Sequence, residues 1–256
     1  MARSVQLLHL TDPHLLADAN ARLHGWHVER AFTTVLEAAI DRYPDYDALV
    51  LGGDLVDDES VAGYRRLNTQ LRRLERPVLA MAGNHDDPHR MARHLECAHV
   101  HTALTVGGWQ LHALDSHLDG SEAGALGDSQ LAGFEQRLAT SEQPAVVFVH
   151  HPPVSVGSAW IDAIGLTDGD ALAALLGRHP RLRAVVCGHA HQAHQFSIHG
   201  VAGWTTPATM RQFQPGAARF AEDTDRAPGY RWLSLAADGG IHSRVHRVKS
   251  ARRACG

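Results

Sequence analysis

Cysteine is scarce in this 256-residue sequence: Cys97, Cys187 and Cys255 lie far apart, and none belongs to a C-x-x-C pair. Their number and spacing give no basis for a disulfide framework or a zinc ribbon, so we expect isolated reduced thiols.

Long hydrophobic runs are also missing. The mostly apolar stretch over 5–10 is too short for the core of a signal peptide and far too short to span a bilayer. We therefore expect a cytoplasmic protein with no membrane partner.

An excess of charge of one sign is missing as well. The chain has 24 Lys and Arg against 28 Asp and Glu, for a formal net charge of -4, which leaves no overall electrostatic footprint for nucleic acid. Basic residues gather only near the C-terminus, where we expect a frayed, solvated tail over about 242–256. Since no linker rich in Pro, Gly or Ser and no internal repeat interrupts the chain, we expect a single domain over 1–256. The glycine patterns of P-loop and Rossmann nucleotide sites are absent too.

Histidine, by contrast, is abundant. The chain contains 20 histidines, several times ordinary usage. Neutral imidazole is the commonest metal ligand in proteins, so this excess raises the expectation of a metal site before any motif is considered.

Short apolar runs alternate with amphipathic stretches, a pattern typical of a layered α/β fold. Several runs are continuously apolar, which indicates strands buried on both faces. The predicted strands cover 5–10, 48–51, 78–82, 109–114, 145–149, 182–187, 204–206 and 230–235. The predicted helices cover 30–40, 60–74 (with Ser60 as its N-terminal cap), 129–138 and 170–176.

Five of these strands run directly into polar residues of the kinds that bind metals. In open α/β sheets, ligands bind just beyond the carboxyl ends of the strands. Any one of these motifs is as readily a turn as a site, but five in order, each at a strand end, indicate a common metal-binding rim. The motifs are Asp12-Pro13-His14, Gly53-Asp54-Leu55-Val56-Asp57, Gly83-Asn84-His85-Asp86, His150-His151-Pro152 and Gly188-His189-Ala190-His191.

Together these motifs resemble the pattern of the calcineurin-like metallophosphoesterases: D-x-H, G-D-x-x-D, G-N-H-[DE], H-x-P and G-H-x-H. The stretch over 150–162, the run Cys187-Gly188-His189-Ala190-His191-Gln192 and the later Pro228-Gly229-Tyr230-Arg231-Trp232 further resemble the bacterial class III cyclic-AMP phosphodiesterases. The resemblance implies an α/β fold of the αββα sandwich type, in which two central mixed β-sheets are flanked by helices.

The same resemblance implies a ligand set for two metal ions. Asp12, His14, Asp54 and His191 would bind one ion, while Asp54, Asn84, His150 and His189 would bind the other, so that Asp54 bridges the pair. His85 would stay off the metals and act as the catalytic acid. Substrate contacts are expected from His14, Asn84, His85 and His151, and supporting contacts behind the site from Asp57, Asp86 and Asp115, with Asp86 orienting His85.

The implied activity is hydrolysis of 3′,5′-cyclic AMP to 5′-AMP by attack of a hydroxide that bridges two divalent metals. Mixed imidazole and oxygen ligands suit Fe, Mn, Zn or Co, and the sequence does not choose among them. One alternative is a broader phosphodiesterase of the same fold, acting on glycerophosphodiesters, 2′,3′-cyclic nucleotides or nucleotide pyrophosphates. A more distant one is a non-catalytic scaffold of this fold, although all the ligand residues are present. A histidine-rich metal buffer would instead show histidine runs in a flexible tract.

Specificity is expected to depend on two loops, 154–168 and 206–225. Trp160, Trp204 and Phe213 are candidates to stack on a nucleobase, with a packed core or a subunit interface as equal alternatives for each. Self-association occurs in the subfamily that the chain resembles, so a homodimer is a further expectation.

Overall fold

The structure is a computed structural model that describes residues 3–251. Its architecture is built on two six-stranded mixed sheets. The first has the order β14-β13-β1-β2-β3-β4, in which β1 to β4 are parallel and β13 and β14 are antiparallel additions. Its strands are β1 (Val5–Leu10), β2 (Ala48–Leu51), β3 (Val78–Ala80), β4 (Ala98–Val100), β13 (Gly229–Leu235) and β14 (Ile241–Arg247).

The second sheet has the order β5-β6-β7-β8-β10-β9, with a parallel centre and an antiparallel strand at each edge. Its strands are β5 (Ala103–Val106), β6 (Trp109–Leu114), β7 (Ala145–Val149), β8 (Leu182–Cys187), β9 (His194–Ile198) and β10 (Val201–Thr205). A separate small hairpin pairs β11 (Gln212–Phe213) with β12 (Glu222–Asp223).

Helices cover the outer face of each sheet. They are α1 (Val28–Arg42), α2 (Val61–Leu71), α3 (Pro88–His94), α4 (Asp128–Ala139) and α6 (Gly169–Arg178). The short α5 (Ala159–Asp162) packs instead with Val156, Ala190 and Phe213, and the chain also has a short 3₁₀ turn, Lys249–Ala251. The predicted cap of α2 is present, because the Ser60 side chain accepts a hydrogen bond from the Gly63 amide. No helix in residues 3–251 is long and apolar enough to cross a membrane.

Alternation along the strands divides the core into three layers. In β1, Leu7 packs between the two sheets while Leu8 packs against the helices on the outer face. In β7, Val146 joins the layer between the sheets and Val147 packs towards α4 and α6. Strands buried on both faces read as continuous apolar runs, which is why the sequence reveals them. The predicted αββα sandwich with two mixed sheets is confirmed.

The prediction of a frayed tail from residue 242 is wrong for most of that segment. Strand β14 pairs antiparallel with β13 along its whole length, from Ile241 opposite Leu235 to Arg247 opposite Gly229. The Arg247 guanidinium also donates to the Gln212 side chain at 2.6 Å. Alternating exposure lets a strand carry basic residues on its outer face, so its charge does not prevent pairing. Residues 252–256 lie outside the described residues.

Candidate metal centre

The predicted ligands gather where the parallel strands of the two sheets end. β1, β2 and β3 of the first sheet and β7 and β8 of the second each lead into one motif. All seven side chains are brought together, and all except Asn84 are almost completely buried. They are Asp12, His14, Asp54, Asn84, His150, His189 and His191.

A first group of donors comprises Asp12, His14, Asp54 and His191, with one ligand atom from each lying within 4.8 Å of the others. His191 Nε2 is 3.2 Å from Asp12 Oδ1 and 3.2 Å from His14 Nε2. Two imidazole nitrogens and two carboxylates that converge at such distances form a set of the kind that holds a transition-metal ion.

Asp54 connects this group to a second one. Its Oδ2 atom lies 3.6 Å from His14 Nε2 in the first group and 3.4 Å from His150 Nε2 in the second. His189 Nδ1, in turn, lies 3.1 Å from Asn84 Oδ1. One carboxylate shared between two groups of ligands is the arrangement that two neighbouring cations need. Here the groups are Asp12, His14 and His191 on one side and Asn84, His150 and His189 on the other.

Hydrogen bonds to one ring nitrogen of two ligand histidines orient the other ring nitrogen towards the metal centre. Main-chain carbonyls bind His150 Nδ1 (Gly52 O, 2.7 Å) and His191 Nδ1 (Arg211 O, 3.0 Å), so each ring donates there and presents its Nε2 lone pair to the centre. Among the described residues, His150 Nε2 and Asp12 Oδ2 are buried without a hydrogen-bond partner. Buried polar atoms normally have partners, so these donors fit two cations.

Charge at the centre favours bound cations. Burial opposes ionisation of Asp54, yet in the metal-free protein the positive charge of His150, whose Nε2 lies 3.4 Å away, holds the pKa of that carboxyl well below its usual range. Burial lowers the pKa of His189 and of His191, which keeps both rings in the neutral form that binds metals.

The backbone at the site is locally strained. Asp12, His14, Asp54, His189 and His191 all have φ between 48° and 61°, the left-handed region that side-chain-bearing residues rarely adopt. These five account for more than half of the nine positive-φ residues other than glycine in the described chain. Such conformations cluster at functional sites, where surrounding contacts offset a cost of about 1–3 kcal/mol each.

Glycine is required at two positions beside the ligands. Gly53 has φ +96°, and a Cβ there would lie 2.4 Å from His150 Nδ1. A Cβ on Gly83 would lie 2.1 Å from Asp54 Oδ1. A side chain at either position would displace a predicted ligand, so these glycines permit the close approach of the strand ends.

His85 lies beside the centre, in a separate trio with His14 and Asp57 whose ligand atoms are within 4.8 Å of one another, and it belongs to neither of the two donor groups. Its Nδ1 is 3.2 Å from Asp57 Oδ1, an oxygen that also lies 2.8 Å from His14 Nδ1. The hydrogen bond to Asp57 raises the pKa of His85 to about 9. Its side chain is 42% exposed, and its Nε2 makes no hydrogen bond with a described residue. Asp57, not Asp86, therefore orients this imidazole.

The expectation that Asp86 orients His85 is wrong, because Asp86 binds backbone amides and a tyrosine hydroxyl instead. Its buried carboxyl accepts hydrogen bonds from the amides of Leu55, Val56 and Gly83 and from the Tyr64 hydroxyl, all at 2.9–3.1 Å. Asp86 thus joins the turn after β2 to the turn after β3, the two turns that carry Asp54 and Asn84.

Asp86→Ala should lower the free energy of unfolding of the metal-free protein by at least about 3 kcal/mol, since each buried amide left without an acceptor costs about 1–3 kcal/mol. Urea denaturation in the presence of a chelator measures this change. Tyr64→Phe, which removes one of the four donors and also the acceptor of the Asp87 amide, is the control and should cost about 1–2 kcal/mol. An Asp86→Ala loss no larger than that of Tyr64→Phe would contradict the bridging role.

Two further predicted residues, His151 and Asp115, are held by hydrogen bonds to residues outside the two donor groups. His151 is fully buried, with Nδ1 2.8 Å from Ser116 Oγ and Nε2 3.1 Å from the carbonyl of Glu122, and burial lowers its pKa to about 3. His151 neighbours His150 and His189, but both its nitrogens are engaged within the protein, so its expected contact with the substrate stays a prediction that these hydrogen bonds do not favour. Asp115 is connected to the turn after β3 through two histidines. The His117 amide donates to Asp115 and His117 Nδ1 lies 3.0 Å from Gly83 O, while His101 Nδ1 lies 3.6 Å from Asp115 Oδ2 and its Nε2 accepts from the Ala82 amide.

A cavity adjoins the donors, and His14, Asn84 and His85 line it as expected for substrate-binding residues. So do Trp160 and Phe213, whereas Trp204 is 8% exposed and packs in the core between the sheets. Sequence analysis missed Arg211 and Phe220, which also line the cavity. Both belong to the 206–225 loop, where no periodic pattern indicates which side chains face a site.

Comparison with known proteins agrees with this geometry. The calcineurin-like phosphoesterase family matches residues 5–193. Two similar proteins are named 3′,5′-cyclic adenosine monophosphate phosphodiesterase CpdA. The one from Vibrio vulnificus is 36% identical over 96% of this chain and 91% of its own length, and that from Escherichia coli K12 is 33% identical over 97% and 91%.

Among solved structures, a dimetal phosphatase from Danio rerio shares the fold. It covers 96% of this chain and 99% of its own with a TM-score of 0.65, at 13% identity. The family match covers most of the chain, and the CpdA proteins exceed 30% identity over nearly all of it. The chain therefore belongs to the calcineurin-like phosphoesterase family.

Proposed function

We propose that the protein is a dinuclear-metal phosphodiesterase that hydrolyses 3′,5′-cyclic AMP to 5′-AMP. The observation that carries the proposal is Asp54, whose Oδ2 lies within 3.6 Å of imidazole nitrogens from both donor groups. The identity of the substrate is inferred from the CpdA relatives, which are named for this activity and align with this chain over nearly its full length.

The proposed ligands follow the two donor groups. Asp12, His14, Asp54 and His191 would hold one cation, and Asp54, Asn84, His150 and His189 would hold the other. When bound, the cations supply Lewis acidity towards the phosphate oxygens and a hydroxide nucleophile at neutral pH. Imidazole and carboxylate donors without a thiolate suit Fe, Mn, Zn or Co.

The chain's own residues would then orient the diester and move one proton. No serine, threonine or cysteine is among the described residues that line the cavity, so no hydroxyl or thiol nucleophile is available there to form a covalent phosphoenzyme. His85 presents Nε2 to the cavity while Asp57 holds its Nδ1. His85 therefore donates a proton to the ribose O3′ as the bond between that oxygen and phosphorus breaks.

Product analysis tests this function. Purified protein with manganese is offered 3′,5′-cyclic AMP and, in parallel, an aryl phosphodiester, and the products are identified by chromatography. We expect 5′-AMP from the cyclic nucleotide, because only the bond to O3′ is cleaved. An Asp54→Asn variant serves as the blank for contaminating enzymes. Hydrolysis of the aryl ester alone would replace the proposal with a broader phosphodiesterase of the same fold.

Other features of this assignment stay predictions. They are a single domain over 1–256, a cytoplasmic location, no nucleic-acid or membrane partner and a homodimer. Fractionation of the native host measures the location.

A further inference from the structure

One side of the cavity is an aromatic wall formed by Trp160, Phe213 and Phe220. The ring centroids are 4.9 Å apart for Trp160 and Phe213, 5.3 Å for Trp160 and Phe220 and 5.4 Å for the two phenylalanines. Phe213 also stacks on His191, with centroids 4.1 Å apart and planes 7° from parallel. The wall is therefore continuous with the metal centre.

The wall carries N–H donors that have no acceptor among residues 3–251. The Arg211 guanidinium lies 5.3 Å from the Phe213 centroid and 5.5 Å from that of Phe220, and it makes no hydrogen bond or ion pair with a described residue. Its Nε and the Nε1 of Trp160 are both buried without a partner among the described residues. Leaving such groups unpaired costs about 1–3 kcal/mol each, which an acceptor on a ligand would recover.

Phe220 is unusually exposed to solvent for a large hydrophobic residue. Its side chain is 55% exposed, the largest value for a large hydrophobic residue in the described chain; the other such residue is Leu118, at 44%. An aromatic ring that faces a polar cavity beside a metal centre offers a flat apolar surface to whatever the centre binds.

Hydrogen bonds fix the two chain segments of the wall to each other. Trp160 is on α5, and Arg211, Phe213 and Phe220 are on or beside the β11–β12 hairpin. Ser158, which precedes α5, accepts from the Gly216 amide within the hairpin at 3.0 Å. Gln212 donates to the carbonyl of Ala208 at 2.8 Å, which anchors the start of the hairpin. The wall is preorganised, so binding would not have to pay for ordering it.

We propose that this wall is a nucleobase subsite. With the phosphodiester at the metal centre, an aromatic base stacks on the face of Phe220 and contacts Trp160 edge to face, because those two ring planes are 68° apart. The N–H groups of Arg211 and Trp160 donate to ring nitrogens of the base. The inference rests on the proposed function and extends it from the phosphate to the base. Bases stack on aromatic side chains and on guanidinium planes in many nucleotide sites.

Binding of two product-like ligands tests the subsite. 5′-AMP and ribose 5-phosphate share the sugar and the phosphate and differ in the base, so the ratio of their dissociation constants isolates it. Calorimetry with manganese-loaded protein measures both. We expect Phe220→Ala to weaken 5′-AMP about 5- to 100-fold and to change ribose 5-phosphate less than twofold. Arg211→Met should weaken 5′-AMP about three- to tenfold with the same selectivity.

Leu118→Ala is the matched control, since it also removes an exposed hydrophobic side chain but does not line the cavity, and it should alter neither affinity. Thermal unfolding and metal content verify that each variant is intact. The subsite is refuted if wild type binds the two ligands equally, or if Phe220→Ala weakens both ligands alike or neither. The proposed function fails separately, when wild type does not hydrolyse 3′,5′-cyclic AMP.

Discussion

Asp54→Ala is expected to release both metal ions and to lower turnover at least about 10³-fold, because one carboxylate serves both donor groups. Its Oδ2 lies between His14 and His150, one from each group, and no other described carboxylate is this close to both. Asp12 is 4.0 Å from His150 and contacts the first group more closely, at 3.2 Å from His191. Metal content by mass spectrometry of the purified protein and turnover of 3′,5′-cyclic AMP measure the two effects.

Asp54→Asn separates ligation from folding. Asparagine keeps an oxygen that accepts from the His85 amide, as Asp54 Oδ1 does at 2.9 Å, but it lacks the negative charge that two cations share. We expect this variant to fold like wild type and still to lose most of its metal and activity. Two ions retained in either variant, or turnover within tenfold of wild type, would show that Asp54 does not bridge.

The buried parts of the fold were accessible from sequence because burial on both faces leaves an unbroken apolar run. Five predicted strands, including β1 and β7, match the structure at both ends. The edge strands β4, β5 and β9 were missed, since their half-exposed residues mix polar and apolar types in short segments. Strand β14 was missed for the same reason and because its basic residues suggested a tail.

The metal donors could be predicted for a different reason, which is that the motifs fall at the ends of parallel strands and resemble a known family. The roles of neighbouring carboxyls could not. Asp57 and Asp86 are both acidic residues next to ligand motifs, yet one contacts His14 and His85 while the other binds backbone amides. Their difference depends on where the turns after β2 and β3 meet, which is a tertiary property.

The members of the aromatic wall could not be predicted either, because they too depend on tertiary structure. Trp160 and Trp204 were equal candidates for base stacking, but one lines the cavity and the other packs between the sheets. Phe220 and Arg211 reach the cavity because the β11–β12 hairpin folds back over it, and a hairpin with two-residue strands leaves little periodicity in the sequence.

His85→Ala is expected to retain both metals and to lower kcat about 10²- to 10⁴-fold, the usual contribution of a general acid. The geometry supports retained metal with lost turnover, because His85 shares a trio with His14 and Asp57 but its removal leaves all seven proposed ligands in place. Its ring lines the cavity, and Asp57 holds its Nδ1. Since the proton is transferred in the transition state, kcat and kcat/KM should fall together. Steady-state kinetics and metal analysis of the same preparation measure both.

His89→Ala is the matched control, since this exposed histidine lies four residues further along the chain and contacts none of the donors. It should leave kcat and metal content unchanged. If His85→Ala loses metal in proportion to its activity, then His85 supports the centre itself and does not act as the acid. If its kcat stays at the wild-type value, the proton reaches O3′ from another source, and the exposed Nε2 beside the cavity has no catalytic role.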